Sequence, residues 1–210
     1  MDKQSLFLYA ITDSGCIGER DFDREIENAL QGGVTILQLR EKGLTTQELT
    51  EKAIRLKGIC EKFHVPLIVN DDVEAALRSG ADGVHVGAED MSVARIRELA
   101  GKDFIIGATA KTLEQARNAQ EQGADYLGCG ALFTSPTKKD ARPMTPKVLQ
   151  TITASVDIPV VAIGGLTFDN IGILKNSGVS GAAVVSAVFA EDDVKAAAAR
   201  LKERLRDVLS

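Results

Sequence analysis

Three hydroxyls and two ammonium groups crowd into six residues of this chain: Thr134, Ser135, Thr137, Lys138 and Lys139, with Pro136 stiffening the middle. Such donors on a proline-restrained loop suit an oxyanion such as phosphate, because they bring hydrogen bonds and positive charge at little ordering cost. Solvated loops collect the same residue types, so the stretch alone is ambiguous. Other polar clusters stand elsewhere. In Gln38-Leu-Arg-Glu-Lys42, Gln38 and Arg40 share one face of an extended segment, with Lys42 just beyond. Asp71 and Asp90 stand in two further runs, Asn70-Asp-Asp72 and Gly87-Ala-Glu-Asp90. Two carboxylates can converge on one divalent cation, and all-oxygen ligation suits magnesium, above all with a phosphate completing the shell. Helix capping competes for these carboxylates: Asp72 is expected to cap while Asp71 ligates, and Ser92 rivals Asp90 as a cap.

The elements that must position these residues form an alternating pattern. Runs 6–12, 34–39, 66–70, 83–86, 104–108, 125–130, 159–163 and 181–186 read as strands. They are near-continuously apolar, as expected where both faces of a sheet are covered. Segments 21–31, 45–63, 73–79, 92–100, 113–122, 145–154 and 168–176, and a last one from 193, read as helices. Strict alternation implies parallel strands with helical crossovers. Eight units in 210 residues average about 26 each, which leaves no room for a second domain. A single (β/α)8 TIM barrel over residues 1–210 is predicted. A doubly wound open sheet is the alternative, but no G-x-G-x-x-G follows the first strand. A barrel carries its active site on the face made by the strand C-termini and the loops after them. Every cluster above falls there, together with Thr109 after the fifth strand, Gly164-Gly165 after the seventh and Val185-Ser186 at the end of the eighth.

Composition removes several function classes. A net charge of −5 argues against a nucleic-acid or anionic-membrane surface, and 4% aromatic residues without tryptophan provide no base-stacking platform. Cys16, Cys60 and Cys129 have no C-x-x-C spacing, which suggests a reducing compartment. No apolar run approaches membrane-spanning length, and residues 6–11 are too short for a signal h-region, so a cytoplasmic location is expected. A homo-oligomer is compatible with apolar stripes on the outer helices.

Two anion sites follow from the placement. The turns after the seventh and eighth strands offer backbone N–H groups that small residues leave open, which suits a monophosphate. Arg40, Lys42 and Lys138 with Asp71 and Asp90 combine cations with metal-binding carboxylates, which suits a diphosphate. Magnesium diphosphate is a leaving group, so the chemistry indicated is its displacement by a nucleophile on a phosphorylated second substrate. Neither His64 nor His85 has a case as a general base, and His85, inside an apolar strand, reads as a satisfied core histidine. Cys129 reads as a small packed residue.

Tyr9-Ala-Ile-Thr-Asp13, Gln38-Leu-Arg-Glu-Lys42, Val69-Asn-Asp71, Gly83-Val-His-Val-Gly87 with Glu89-Asp90, Ser135-Pro-Thr-Lys-Lys-Asp140, Ala162-Ile-Gly-Gly165 and Val184-Val-Ser186 together closely resemble thiamine-phosphate synthase, in the right order along nearly the whole chain. The resemblance implies a barrel that joins hydroxymethylpyrimidine diphosphate to a thiazole phosphate, expected in its carboxylated form. The products are thiamine phosphate and diphosphate, and Mg2+ is required. Carried over position by position, it implies that Gln38, Leu39, Arg40, Glu41, Lys42, Asn70, Thr109 and Lys138 contact the pyrimidine diphosphate, with Lys138, Arg40 and Thr109 catalytic. Asp71 and Asp90 would hold the metal. Ser135, Pro136, Thr137, Gly165, Val185 and Ser186 would bind the thiazole phosphate. Three positions depart from the family pattern: Thr109 where serine is common, Lys111 where histidine is frequent, and Ala131 where proline is frequent. A thiazole tautomerase on the same fold, or a non-catalytic barrel that binds a phosphorylated metabolite, are the competing readings. Neither requires a metal-diphosphate site.

Overall fold

The computed structural model describes residues 3–133 and 143–210, whose strands close into one barrel of eight parallel strands in chain order. These are β1 (Leu8–Ile11), β2 (Ile36–Leu39), β3 (Leu67–Asn70), β4 (Gly83–Val86), β5 (Ile105–Ala110), β6 (Tyr126–Gly130), β7 (Val160–Ile163) and β8 (Gly181–Val184). Around them run α1 (Ser14–Ile17), α2 (Phe22–Gln31), α3 (Thr46–Lys62), α4 (Val73–Ser79), α5 (Val93–Ala100), α6 (Leu113–Glu121), α7 (Pro146–Thr153), α8 (Ser186–Phe189) and α9 (Val194–Leu209). The helix starts follow from side-chain caps: Asp21, Thr45, Asp72, Ser92, Thr112, Thr145 and Asp193 each accept a first-turn N–H, and Thr45 with Glu48 completes a capping box. Among the described residues no helix is long and apolar enough to cross a membrane.

One expectation needs correction. Residues 168–176 do not form an α-helix; only Ile171–Leu174 coil, as a 3-10 turn. Gly172 lies inside it, and Asn176 and Gly178 leave it with positive φ, so the segment lacks the uninterrupted helical residues that an α-helical crossover requires. The one-turn helices α1 and α8, each four residues, were too short to show any periodicity.

Pleating sends alternate residues inward. Tyr9, Ile11, Ile36, Ile68, Tyr126, Val161 and Ala183 fill the barrel interior, while a larger apolar cluster lies between the strands and the helices. The N-terminal end of the barrel is tied by a recurring turn: Gly33-Val-Thr35, Gly80-Ala-Asp82, Gly123-Ala-Asp125 and Gly178-Val-Ser180 precede β2, β4, β6 and β8. Each of these glycines has positive φ. The third residue then pairs with the neighbouring strand: Thr35 Oγ1 accepts from Leu8 N (2.9 Å), Asp82 Oδ2 from Leu67 N (2.8 Å) and Asp125 Oδ2 from Ile106 N (2.7 Å). Ser180 keeps the backbone bond alone, to Val160 O (2.8 Å). Lys57 and Arg97 neutralise Asp82 and Asp125 at 2.8 and 2.7 Å.

Candidate active site

The C-terminal ends of β2, β3 and β4 bring Arg40, Asn70, Asp71 and Asp90 to one side of the barrel mouth. Asp71 has φ 62°, a left-handed backbone uncommon for a residue with a Cβ, held by a hydrogen bond from its N–H to the His85 carbonyl (2.8 Å). Its carboxyl faces that of Asp90, with Asn70 and Arg40 also acting on it. The Asp71 pKa is pushed up to about 6, by desolvation first and then by the Asp90 charge, against smaller opposing pulls from Asn70 and Arg40. Because Asp71 is exposed at the mouth, the facing like charge is the cause to weight most. Asp90 is steadied by Gly87 N–H, which donates to its Oδ2 at 2.7 Å. Helix capping falls to the neighbours, Asp72 for α4 and Ser92 for α5, and both opposed carboxylates stay free of it. Among the described residues no group of three or more histidine, cysteine or acidic side chains gathers around one point, so among them the acidic pair is the carboxylate set that faces a cation there.

The predicted pyrimidine-site segment divides. Gln38 is buried and faces inward, donating from Nε2 to Tyr9 OH at 2.7 Å. Leu39 is fully buried toward the helices. Arg40 N–H donates to Thr12 Oγ1 (3.0 Å), and among the described residues its guanidinium and the exposed Lys42 ammonium donate no hydrogen bond. Glu41 turns elsewhere: its carboxylate accepts from Thr12 Oγ1 (2.8 Å) and from the Ser14 hydroxyl, and Lys52 lies 3.7 Å away. Its charge is thus committed to holding the loop after β1. Thr109, at the end of β5, is half-buried, and the exposed Lys111 follows it.

On the opposite side, Gly164 and Gly165 have φ 104° and 66°. A Cβ on Gly165 would come within 2.7 Å of Phe133 Cβ, so only glycine fits that turn. The chain after β6 runs on beside it, with Leu132 N–H donating to Ile163 O (3.1 Å) and Phe133 N–H to Gly164 O (3.0 Å). The far end of the same loop returns at Met144, whose N–H donates to Ala131 O (2.7 Å). Thr134, Ser135, Pro136, Thr137, Lys138, Lys139 and Asp140 lie outside the described residues, but both ends of their loop are anchored next to the Gly164-Gly165 turn. Val185 and the exposed Ser186 start α8 beside it. Arg20 ties α1 to the segment after α8 through the carbonyls of Cys16, Phe189 and Glu191, which joins the loops of the first and last strands.

A model of the family described as thiamine monophosphate synthase matches residues 8–188, from β1 into α8. The chain is 44% identical over 196 residues to thiamine-phosphate synthase of Ruminiclostridium cellulolyticum, covering 93% of each. This chain belongs to the thiamine-phosphate synthase family. It is likewise 44% identical to the family member of Alkaliphilus oremlandii over 95% of both chains. The solved structure of thiamine phosphate pyrophosphorylase from Pyrococcus furiosus matches at 39% identity with a TM-score of 0.90, over 99% of each chain. The family's reaction is the condensation of the pyrimidine diphosphate with the thiazole phosphate, a transfer in thiamine biosynthesis between small-molecule substrates.

Sequence reasoning missed one part of the site. His85 is satisfied, as expected, but not by packing: its Nδ1 lies 3.1 Å from Tyr126 OH and its Nε2 3.0 Å from Thr109 Oγ1. Tyr126 OH in turn lies 2.7 Å from Tyr9 OH. Desolvation lowers the His85 pKa to about 4, outweighing the pull of Asp90, and raises both tyrosines above their usual value, so all three are neutral at pH 7. The available signal was the alternation of glycines at inward positions, Gly107 on β5 and Gly128 on β6, which leaves space for large neighbours. Cys129 is buried and its thiol is pushed up to about 12 by desolvation, in line with a packed, unreactive role.

Proposed function

We propose that the mouth divides the two substrates of the family reaction between its two sides. The pyrimidine diphosphate would lie on the β2–β5 side, against Gln38, Arg40, Glu41, Lys42, Asn70 and Thr109, with Lys138 contributing from the loop after β6; Leu39, fully buried toward the helices, would serve only by holding β2 in place. Glu41 would serve there through its backbone, since its carboxylate is engaged with Thr12 and Ser14. The thiazole phosphate would lie against Gly165, Val185 and Ser186, with Ser135, Pro136 and Thr137 as its further ligands. The observation that carries this reading is the opposed pair Asp71 and Asp90 with Arg40 acting on it. Two carboxyls facing each other at a solvent-exposed mouth are mutually repulsive, and a hard divalent cation with oxygen ligands relieves that repulsion, so Mg2+ fits the donor set.

Magnesium held there would add positive charge to the diphosphate oxygens. The residues do the rest. The C–O bond to diphosphate breaks with its electron pair leaving on oxygen, and Arg40 and Lys138 stabilise the charge that grows there. The pyrimidine cation, stabilised by its own amino group, is then attacked by the thiazole nitrogen lone pair, forming the C–N bond; the carboxylated thiazole then loses carbon dioxide, and the carbon left with that electron pair takes a proton from solvent. Lys138→Ala should cost ~2.7–4 kcal/mol of transition-state stabilisation, roughly 10²–10³ in rate. Thiazole-phosphate affinity should change far less, as titration set against single-turnover rates would show; equal losses in both remove that role.

The test is to mix both substrates with magnesium and follow diphosphate and thiamine phosphate, with a chelator arm. Metal-dependent release supports the reading. No diphosphate release, with the thiazole phosphate isomerised alike with and without the chelator, favours the tautomerase-like alternative, which has no use for the acidic pair.

A further inference from the structure

We propose that His85 is a positioning residue for the Thr109 hydroxyl, held in one tautomer by a hydrogen-bond chain that crosses the barrel interior from Gln38 through Tyr9 and Tyr126. The inference rests on the placement of Thr109 against the pyrimidine substrate proposed above.

The chain has a direction, and donor–acceptor counting sets it. Gln38 Nε2 is a donor only, so Tyr9 OH accepts from it at 2.7 Å. Tyr9 is fully buried, and its hydroxyl has one other partner, Tyr126 OH at 2.7 Å. If Tyr126 donated to Tyr9, the Tyr9 hydrogen would be buried without an acceptor, its desolvation left uncompensated. Tyr9 therefore donates to Tyr126. Tyr126 OH then spends its own hydrogen on His85 Nδ1, 3.1 Å away. Nδ1 is thus bare and the ring proton sits on Nε2, which donates to Thr109 Oγ1 at 3.0 Å. With that lone pair taken, the Thr109 hydroxyl turns its hydrogen outward and becomes a donor toward the mouth. Gln38 is the switch of the whole series: turning its amide over would present an acceptor and reverse every bond.

The barrel is built around this chain. A Cβ on Gly107 would lie 2.1 Å from Tyr126 Cζ and 2.5 Å from His85 Nδ1, and one on Gly128 would lie 3.0 Å from His85 Cε1. Register places Gly107 opposite both His85 and Tyr126, and Gly128 opposite Thr109. Two strands have therefore given up inward side chains where the imidazole and the phenol pass, an arrangement that apolar filling of a barrel does not need.

Two measurements test this. In the 15N-labelled full-length chain at pH 7, the His85 ring should show a protonated Nε2 and a bare Nδ1; a protonated Nδ1, or a doubly protonated ring, overturns the proposal. In steady-state assays with both substrates and magnesium, Tyr126→Phe should lower kcat about three- to tenfold, one neutral hydrogen bond's worth, with KM for the thiazole phosphate unchanged. In a Thr109→Val background the same change should cost less than about twofold, because its target is gone, while Thr109→Ser restores the sensitivity. Multiplicative losses in the double variant, or an unaffected kcat in Tyr126→Phe, refute the positioning role. Thr109→Val at full rate refutes the placement of Thr109 at the substrate, and a wild-type chain that releases no diphosphate refutes the reading of the reaction. In either case the ring tautomer still decides whether the chain of bonds runs as stated.

Discussion

Asp71 adopts a left-handed backbone that costs free energy for any residue with a Cβ, and it spends that cost to face Asp90. Removing one of the two charges should therefore have opposite effects with and without metal. Asp71→Asn should raise the magnesium concentration needed for half-maximal rate, read from a metal titration, and an unchanged titration would remove Asp71 as a ligand. His85 makes a second residue-level prediction. Its folded pKa of about 4 lies below the ordinary 6.5, so the unfolded chain binds more protons between those values. The stability His85 supplies is present above pH 6.5 and is lost as pH falls toward 4, by at most about 3 kcal/mol. Asp71, shifted the other way, contributes stability that is lost as pH rises through about 6, and it does so equally in wild type and in a His85 variant. Urea midpoints of His85→Gln should consequently fall less steeply than wild type between pH 6.5 and 4. Parallel curves would mean that the ring is not desolvated.

The elements were legible because each carries its own punctuation. Gly83–Val86 and Val73–Ser79 have the bounds that their apolar runs and flanking Asp72 and Gly80 suggest, and the caps at Asp21, Thr45, Ser92 and Asp193 stand where the helices begin. Residues 168–176 misled because their apolar spacing imitates a helix, while Gly172 and the positive-φ turn after it prevent one. Strands β5 and β6 hold what strand-by-strand reading cannot see. Gly107 reads as a neutral gap in an apolar run, yet the gap is occupied by a tyrosine from the next strand. Gly107→Ala should destabilise the chain by about 3 kcal/mol through overpacking, and Gly128→Ala distinctly less, because its contact at 3.0 Å needs only a small shift. Chemical denaturation of the two variants checks the order; equal losses would show that the interior can relax around either.

At the scale of the molecule the two ends of the barrel do different work. The mouth gathers opposed carboxylates, Arg40 and Lys42, and strained backbone at Asp71, Gly164 and Gly165. The other end repeats one satisfied device, a positive-φ glycine followed two residues later by a side chain that binds the neighbouring strand. Asp125→Ala removes the acceptor for both Ile106 N–H and Arg97, and should cost about 1–3 kcal/mol of stability while kcat at saturating substrate stays at the wild-type value. A variant of normal stability, or one with lowered kcat, would contradict this separation of the two ends.

The sequence by itself determined the alternation, the parallel barrel and the residue types that stand at the C-terminal ends of its strands. All of these follow from local period, capping and the order of elements along the chain. The resemblance in the loop motifs was enough to indicate the family, since those motifs are contiguous. Only the tertiary structure decided that Asp71 and Asp90 oppose each other, that the Glu41 carboxylate turns away to Thr12 and Ser14, and that the ends of the loop after β6 meet the Gly164-Gly165 turn. It alone joined Tyr9 to Tyr126 across 117 residues of chain, and Gln38 to Thr109 through them and His85. The reason is geometric. Which inward side chains meet inside a closed barrel depends on its register and on the space its glycines leave, and neither quantity is written in any single segment.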